Sequence, residues 1–214
     1  MTRYGKGFVI ALVPMLLVGC GQDVTLPSTG TVYGDLLYDD GTAAMGIIVM
    51  VEGTGQIGVS DATGRFVING VLAVDETGMG RYYTVRGFGD RAGKSVGFLV
   101  DHFKVKGQQS YSIGVVTVQE TGSIRGRVTL EGMIDHSGVF ISLEGTSIET
   151  VTQADGSYLL DRVPAHEGYA LPCSHVGFES MTIETFLDQG EEKPIRVGPG
   201  RVTDLGDSQL HASP

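Results

Sequence analysis

The chain has 214 residues and a formal net charge of −10, from 25 Asp and Glu against 15 Lys and Arg. Such acidity suits neither the phosphates of nucleic acid nor anionic lipid headgroups. With 41% hydrophobic residues the chain is too apolar for a disordered tail, and 33 glycines with no tryptophan point to a folded, turn-rich protein.

The N-terminal segment comes first. Two cations, Arg3 and Lys6, precede an apolar run from Phe8 to Val18, and Gly19 stands ahead of Cys20. A positive end, a short apolar stretch and a small residue at the cut are the three zones of an export signal. The run, interrupted by Pro14, falls short of the ~20 residues a helix needs to cross a bilayer, so cleavage is expected rather than a permanent span. Leu17, Val18, Gly19 and Cys20 resemble the lipobox of bacterial lipoproteins. That resemblance implies cleavage before Cys20, a diacylglycerol on its thiol and acylation of the new amine by a fatty acid such as palmitate. Each buried methylene contributes ~0.8 kcal/mol, so several chains anchor stably where one does not.

Residues 1–19 are thus read as a signal peptide and residues 20–28 as the lipidated cysteine with a short linker. Losing the signal removes two cations and no acid, which takes the mature charge to −12. Gly21, where an Asp would retain an enterobacterial lipoprotein at the inner membrane, favours the outer membrane of a diderm envelope by the same resemblance. The linker is short, so the first domain is expected close to the membrane. With Cys20 lipidated, Cys173 is the remaining thiol and no internal disulfide can form. Without a CxxC motif, Cys173 reads as a small apolar core residue.

The rest of the chain is a tandem repeat. At a shift of 92 positions, Thr29 to Gly34 (TGTVYG) meets Thr121 to Gly126 (TGSIRG), Glu52-Gly53-Thr54 meets Glu144-Gly145-Thr146, and Ala62 to Phe66 meets Ala154 to Tyr158. The register breaks at extra residues around Val74 to Arg81 and recovers where Ile113-Gly114-Val115 meets Leu205-Gly206-Asp207. Two domains follow, residues 29–119 and 120–214, each large enough for its own core. Apolar residues alternate in both, as in Ile47, Val49, Val51 and their counterparts Val139, Ile141, Leu143. Period two means half-buried strands. Asp61 to Gly64 and Gln153 to Gly156 read as tight hairpin turns, and Pro172 reads as an edge-strand or bulge residue. An all-β architecture of antiparallel sandwiches, about seven strands per domain, is predicted.

Each repeat resembles the carboxypeptidase regulatory-like domain, a transthyretin-like β-sandwich. The resemblance runs through Gly122, Ile124, Gly126, then Asp155, Gly156, Tyr158, then Tyr169 and Gly177 in the second repeat. In the first it runs through Gly30, Val32, Gly34, then Thr63, Gly64, Phe66, then Tyr83, with Thr63 in place of the usual Asp. It implies an accessory module rather than an activity. The zinc carboxypeptidases that carry such a module hold their metal through His-x-x-Glu, and no histidine here has Glu three residues on. The chain also lacks the terminal Tyr-Arg-Gly-Ser of the transthyretin-like hydrolases.

No residue pattern calls for a catalytic group, a cofactor or a metal. Cys173 with His175 is the nearest approach to a soft-metal pair, yet a structural zinc site needs four ligands. Asp39-Asp40-Gly41 reads as a turn, because it lacks the alternating oxygens of a calcium loop. Tyr158 and Tyr169 occupy repeat positions shared with Phe66 and Tyr83, which suits core packing. The inserted loop with the tyrosine beside it, namely Asp75, Glu76, Met79, Arg81 and Tyr82, is the expected contact surface, since recognition concentrates on loops. The sequence is read as a non-catalytic envelope lipoprotein, held to the membrane through Cys20 and acting in structure or in binding envelope proteins. A glycan or small polar ligand is the alternative partner.

Overall fold

The computed structural model describes residues 28–73, 82–105, 107–188 and 191–213, and these contain strands and turns with no helix. The first repeat comprises β1 (Thr29–Tyr38), β2 (Ile48–Val51), β3 (Gln56–Val59), β4 (Arg65–Leu72), β5 (Tyr83–Arg91), β6 (Lys94–Phe103) and β7 (Ser110–Glu120). The second comprises β8 (Gly122–Leu130), β9 (Phe140–Ser142), β10 (Glu149–Val151), β11 (Ser157–Val163), β12 (His166–Tyr169), β13 (Leu171–Ser174), β14 (Met181–Ile183), β15 (Thr185–Asp188), β16 (Glu191–Val197) and β17 (Val202–Leu210).

In the first repeat the strand order is β3-β2-β5-β6-β7-β1-β4. Only Val96↔Glu120 and Gly97↔Gln119 join β6 to β7, so the sheet divides at that corner into two layers, β4-β1-β7 and β3-β2-β5-β6. The second repeat repeats the layers as β11-β8-β17 and β10-β9-β13-β14, and adds a third sheet, β12-β16-β15. Two of its three additional strands have a simple origin, the third being β16. The strand matching β5 is split at Ala170 into β12 and β13, and the one matching β6 is split at Glu184 into β14 and β15.

The sandwiches are antiparallel except for one pair in each: β1 runs parallel to β7, and β8 runs parallel to β17. The first and last strands of each repeat are therefore sheet neighbours. The offset between repeats is visible in the pairing, since Asp35↔Val115 becomes Arg127↔Asp207. Val49↔Gly87 becomes Ile141↔Cys173, which places the extra length of the first repeat between β4 and β5.

Alternation builds two separate cores. Val32, Leu36, Val49, Phe66, Ile68 and Val85 close the first, while Ile124, Val128, Ile141, Leu160, Leu171 and Ile195 close the second. Each such side chain contributes on the order of 1.5–3 kcal/mol by leaving water. A buried hydroxyl pins the same crossing in both. Ser60 Oγ accepts from Ile47 N–H (2.9 Å) and donates to Ala44 O (2.6 Å). Thr152 Oγ1 accepts from Val139 N–H (3.0 Å) and donates to His136 O (2.5 Å).

Two local expectations are corrected. The Asp61 to Gly64 and Gln153 to Gly156 turns are tight, with Gly64 N–H and Gly156 N–H donating back to the Asp61 and Gln153 carbonyls at 2.9 and 2.8 Å. They do not close hairpins, however, because β3 pairs with β2 while β4 pairs with β1; the turn carries the chain from one layer to the other. Gly64 and Gly156 have φ of +84° and +85°, and a Cβ on either would run into the carbonyl of Leu36 or Val128. With Thr63 at the usual Asp position, Asp61 Oδ1 accepts from Thr63 N–H, Thr63 Oγ1 and Arg65 N–H. Pro172 lies within an interior strand, β13, between β9 and β14. The β9 ladder pairs only Cys173 and Ser174, stopping where proline has no N–H to give.

Candidate interaction surfaces

The repeats are packed together as well as joined. Thr121 alone separates β7 from β8, and its N–H donates to Ser95 O at 3.0 Å. Within the first repeat Lys94 Nζ pairs with Glu120 Oε2 at 2.8 Å beside this junction, and Leu99 of the first repeat packs on the core of the second. The Arg86 guanidinium donates from Nε to Glu52 Oε1 at 2.6 Å and from a terminal nitrogen to Ser147 Oγ of the second repeat at 2.9 Å. Both charged side chains are nearly buried, at 11% and 8% exposure. In the second repeat the counterpart of Glu52 is Glu144 and that of Arg86 is Pro172, so this ion pair belongs to the first repeat alone.

A cleft of about 300 Å³ opens beside this contact, lined from the first repeat by Tyr82, Asp101 and His102 and from the second by Glu144, His166 and Tyr169. Asp101 Oδ2 lies 3.1 Å from His102 Nδ1 and 3.7 Å from His166 Nε2, reaching across the repeats. Lys104 Nζ sits 4.6 Å from the centroid of the Tyr82 ring, and the His102 ring lies tilted at 6.0 Å. Tyr82 lines this cleft and is 59% exposed. The other members of the expected contact loop, Asp75, Glu76, Met79 and Arg81, lie outside the described residues, as does Cys20.

The remaining singled-out residues lie away from this cleft or within the cores. Tyr83 and Tyr169 are buried, and each hydroxyl donates to the carbonyl ending the preceding strand region, Leu72 O at 2.8 Å and Pro164 O at 2.9 Å. Cys173 is buried in the second core, and desolvation pushes its thiol up to about 11. The Asp39-Asp40-Gly41 segment is a turn whose Asp40 carboxylate accepts from Thr42 and pairs with Arg91 at 2.6 Å. Those hydrogen bonds hold Asp40 well below the ordinary carboxylate range. His175 stands past the end of β13, edge-on to Phe178. Among the described residues no group of His, Cys, Asp and Glu is arranged to hold a metal.

The surface that sequence reasoning missed is the outer face of β2 and β3. Cross-strand pairs Ile48↔Val59 and Met50↔Ile57 place these side chains on the side away from the core. Ile57 is 61% exposed, Val59 58% and Met45, just ahead of β2, 64%. The second repeat keeps Phe140↔Val151 but substitutes Ser142↔Glu149 for Met50↔Ile57, Ser137 for Met45 and Ser174 for Phe88. Residues 41–60 contain one charge, Glu52, and Arg86 neutralises it. The signal was present in the sequence, in a position-by-position comparison of the repeats at outward positions. At the far end of the second repeat, Ile134 and Val176 are also exposed, but Glu131, Asp135 and Glu179 accompany them on the same loops.

No family model and no curated protein sequence matches the chain. Among solved structures it is similar to the minor pilin GBS52 of Streptococcus agalactiae, at 12% identity over 86% of this chain and 97% of that one, with a TM-score of 0.39. It is also similar to a type II cohesin–X-dockerin complex of Acetivibrio cellulolyticus, at 14% identity over 42% of this chain, with a TM-score of 0.34. There it spans 58% of the matched chain. Similarity to a 9R-lipoxygenase from Cyanothece, at 20% identity, covers 44% of this chain and 17% of that one, with a TM-score of 0.26. Superpositions this loose assign no family.

Proposed function

We propose that this chain is a non-catalytic envelope lipoprotein whose two repeats, of the carboxypeptidase regulatory-like, transthyretin-like type, serve as a structural or protein-interaction module. The lipid on Cys20 supplies the membrane anchor, in the outer membrane of a diderm host. The observation that carries the interaction reading is the uncharged apolar face of β2 and β3, because exposed contiguous apolar surface on an otherwise acidic chain marks a protein contact. The sequence motifs for zinc peptidase and hydrolase chemistry are missing, which supports a role without catalysis. A glycan or small polar ligand is the second reading, favoured by Tyr82 at the cleft mouth; Lys104 and His102 already take up part of that ring.

Two experiments test the proposal. Cys20→Ala is expected to abolish incorporation of labelled fatty acid, and continued labelling would remove the anchor. Crosslinking on intact cells is expected to capture protein at the first repeat, whereas enrichment of oligosaccharide alone would favour the second reading.

A further inference from the structure

Resting on the protein-interaction reading, we infer that the partner at the outer face of β2 and β3 is a second copy of this chain, the same face meeting itself about a two-fold axis. Three observations lead there. The first is the internal comparison. One chain folds the same layer twice, and at Met45, Met50, Ile57 and Phe88 the first repeat is apolar where the second has Ser137, Ser142, Glu149 and Ser174. Packing of the core does not demand the difference, since the second repeat builds its own core with the polar set.

The second observation is charge. A chain at −10 repels its own copies over most of its surface, so self-association needs a face where no carboxylate meets another. Residues 41–60 provide it, because their one acid, Glu52, is nearly buried against Arg86. The matching face of the second repeat carries Glu149 in the row where Ile57 stands.

The third is continuity with an interface the molecule already makes. Ser147, in the turn after β9, docks on this same outward side of the first repeat, at Arg86, whose other terminal contact is Met50 Sδ at 3.1 Å. Arg86 also lies 5.1 Å from the centroid of the Phe88 ring. The face thus already receives a copy of its own fold at one margin, and Ile48, Ile57 and Val59 extend it toward the β3 edge of the layer. A patch used by both partners alike is the isologous arrangement that closes as a dimer. Methionines at its margin and centre let the two surfaces adapt to one another.

The test places a photo-reactive residue at position 57 of the full-length chain in the producing cells. A crosslinked species made of two copies of this chain is expected. A crosslink to a different protein would overturn the self-contact while leaving the interaction reading standing. A crosslink to lipid alone, or none, would overturn both. In parallel, sedimentation of the detergent-released chain is expected to show a dimer. Ile57→Glu, the residue that the second repeat carries at this position, should weaken it by about tenfold or more, as truncating a central interface anchor does. Met50→Ser provides a second variant, Val151→Glu on the second repeat should leave the dimer unchanged, and unaltered thermal unfolding shows that the variants fold. A monomer at every concentration, or assemblies that grow without closing, would overturn the proposal.

Discussion

Tyr158 should be better replaced by phenylalanine, while the same substitution at Tyr169 should do harm. Tyr158 is 5% exposed, its ring lies against Gly126, and its hydroxyl is the one buried side-chain polar atom without a hydrogen-bond partner among the described residues. Burial holds its phenol well above the usual tyrosine range, so the group stays neutral but unpaired. A buried hydroxyl with no partner costs about 1–3 kcal/mol. Phe66 shows that the phenyl ring alone fills this place, against Gly34 in the first repeat. Tyr158→Phe should therefore stabilise the second repeat by about 1 kcal/mol, the low end of that range because a small void remains, or roughly 4–8 °C for a domain of this size. Tyr169→Phe strips the donor from Pro164 O and should lose ~1 kcal/mol, and Tyr83→Phe should do the same at Leu72 O. Calorimetry with far-UV circular dichroism in denaturant measures each change. A Tyr158→Phe variant that melts lower than the parent would show that the hydroxyl is bonded, and would refute the reasoning.

Arg86→Ala leaves the Glu52 carboxylate nearly buried and unpaired, and should cost about 3–5 kcal/mol in denaturant unfolding. Ser147→Ala, which spares the ion pair, should cost no more than about 1.5 kcal/mol; equal losses would mean the pair is not the element that matters. Cys173, buried with its thiol pushed up to about 11, should resist iodoacetamide at pH 8 in the native chain and react once urea unfolds it. Alkylation at the same rate in both states would place the thiol at the surface.

The repeat and its strands are legible because period two records which side chains face inward, and Val49, Val51, Ile141 and Leu143 are buried accordingly. Partner choice is another matter. Alternation assigns faces and says nothing of which edges meet, so the parallel β1–β7 and β8–β17 pairs and the crossing of the Gly64 and Gly156 turns between layers emerge only when the sandwich closes. The turn residues themselves are legible, since Gly64 and Gly156 answer to a local constraint. Tyr82 could be singled out by its place beside an insertion, but Asp101, His102 and His166 could not. Asp101 and His102 are neighbours, but His166 is distant in sequence and meets them only because the repeats pack. The apolar face is hidden for a different reason: it is written in what the repeats do not share, Ile57 against Glu149, and not in their common pattern.

Where the two repeats differ inside, the difference is compensated within the chain. Gly87 sits opposite Phe98, whose ring occupies the space a side chain would need. Its counterpart Cys173 sits opposite Met181, so a small residue against a bulky ring becomes a thiol against a slimmer thioether chain. Cys173 thereby fills the volume that the Phe98 ring takes up beside Gly87. At the outer row the logic fails. Exchanging Ser142 and Glu149 for Met50 and Ile57 changes both members of a cross-strand pair from polar to apolar, and Ile57 stays 61% exposed with nothing in the described chain to cover it. Burying it would gain on the order of 25 cal/mol per Å² of apolar surface withdrawn from water. No described residue of the chain supplies that cover, so the uncompensated row is where the proposed self-contact would gain most.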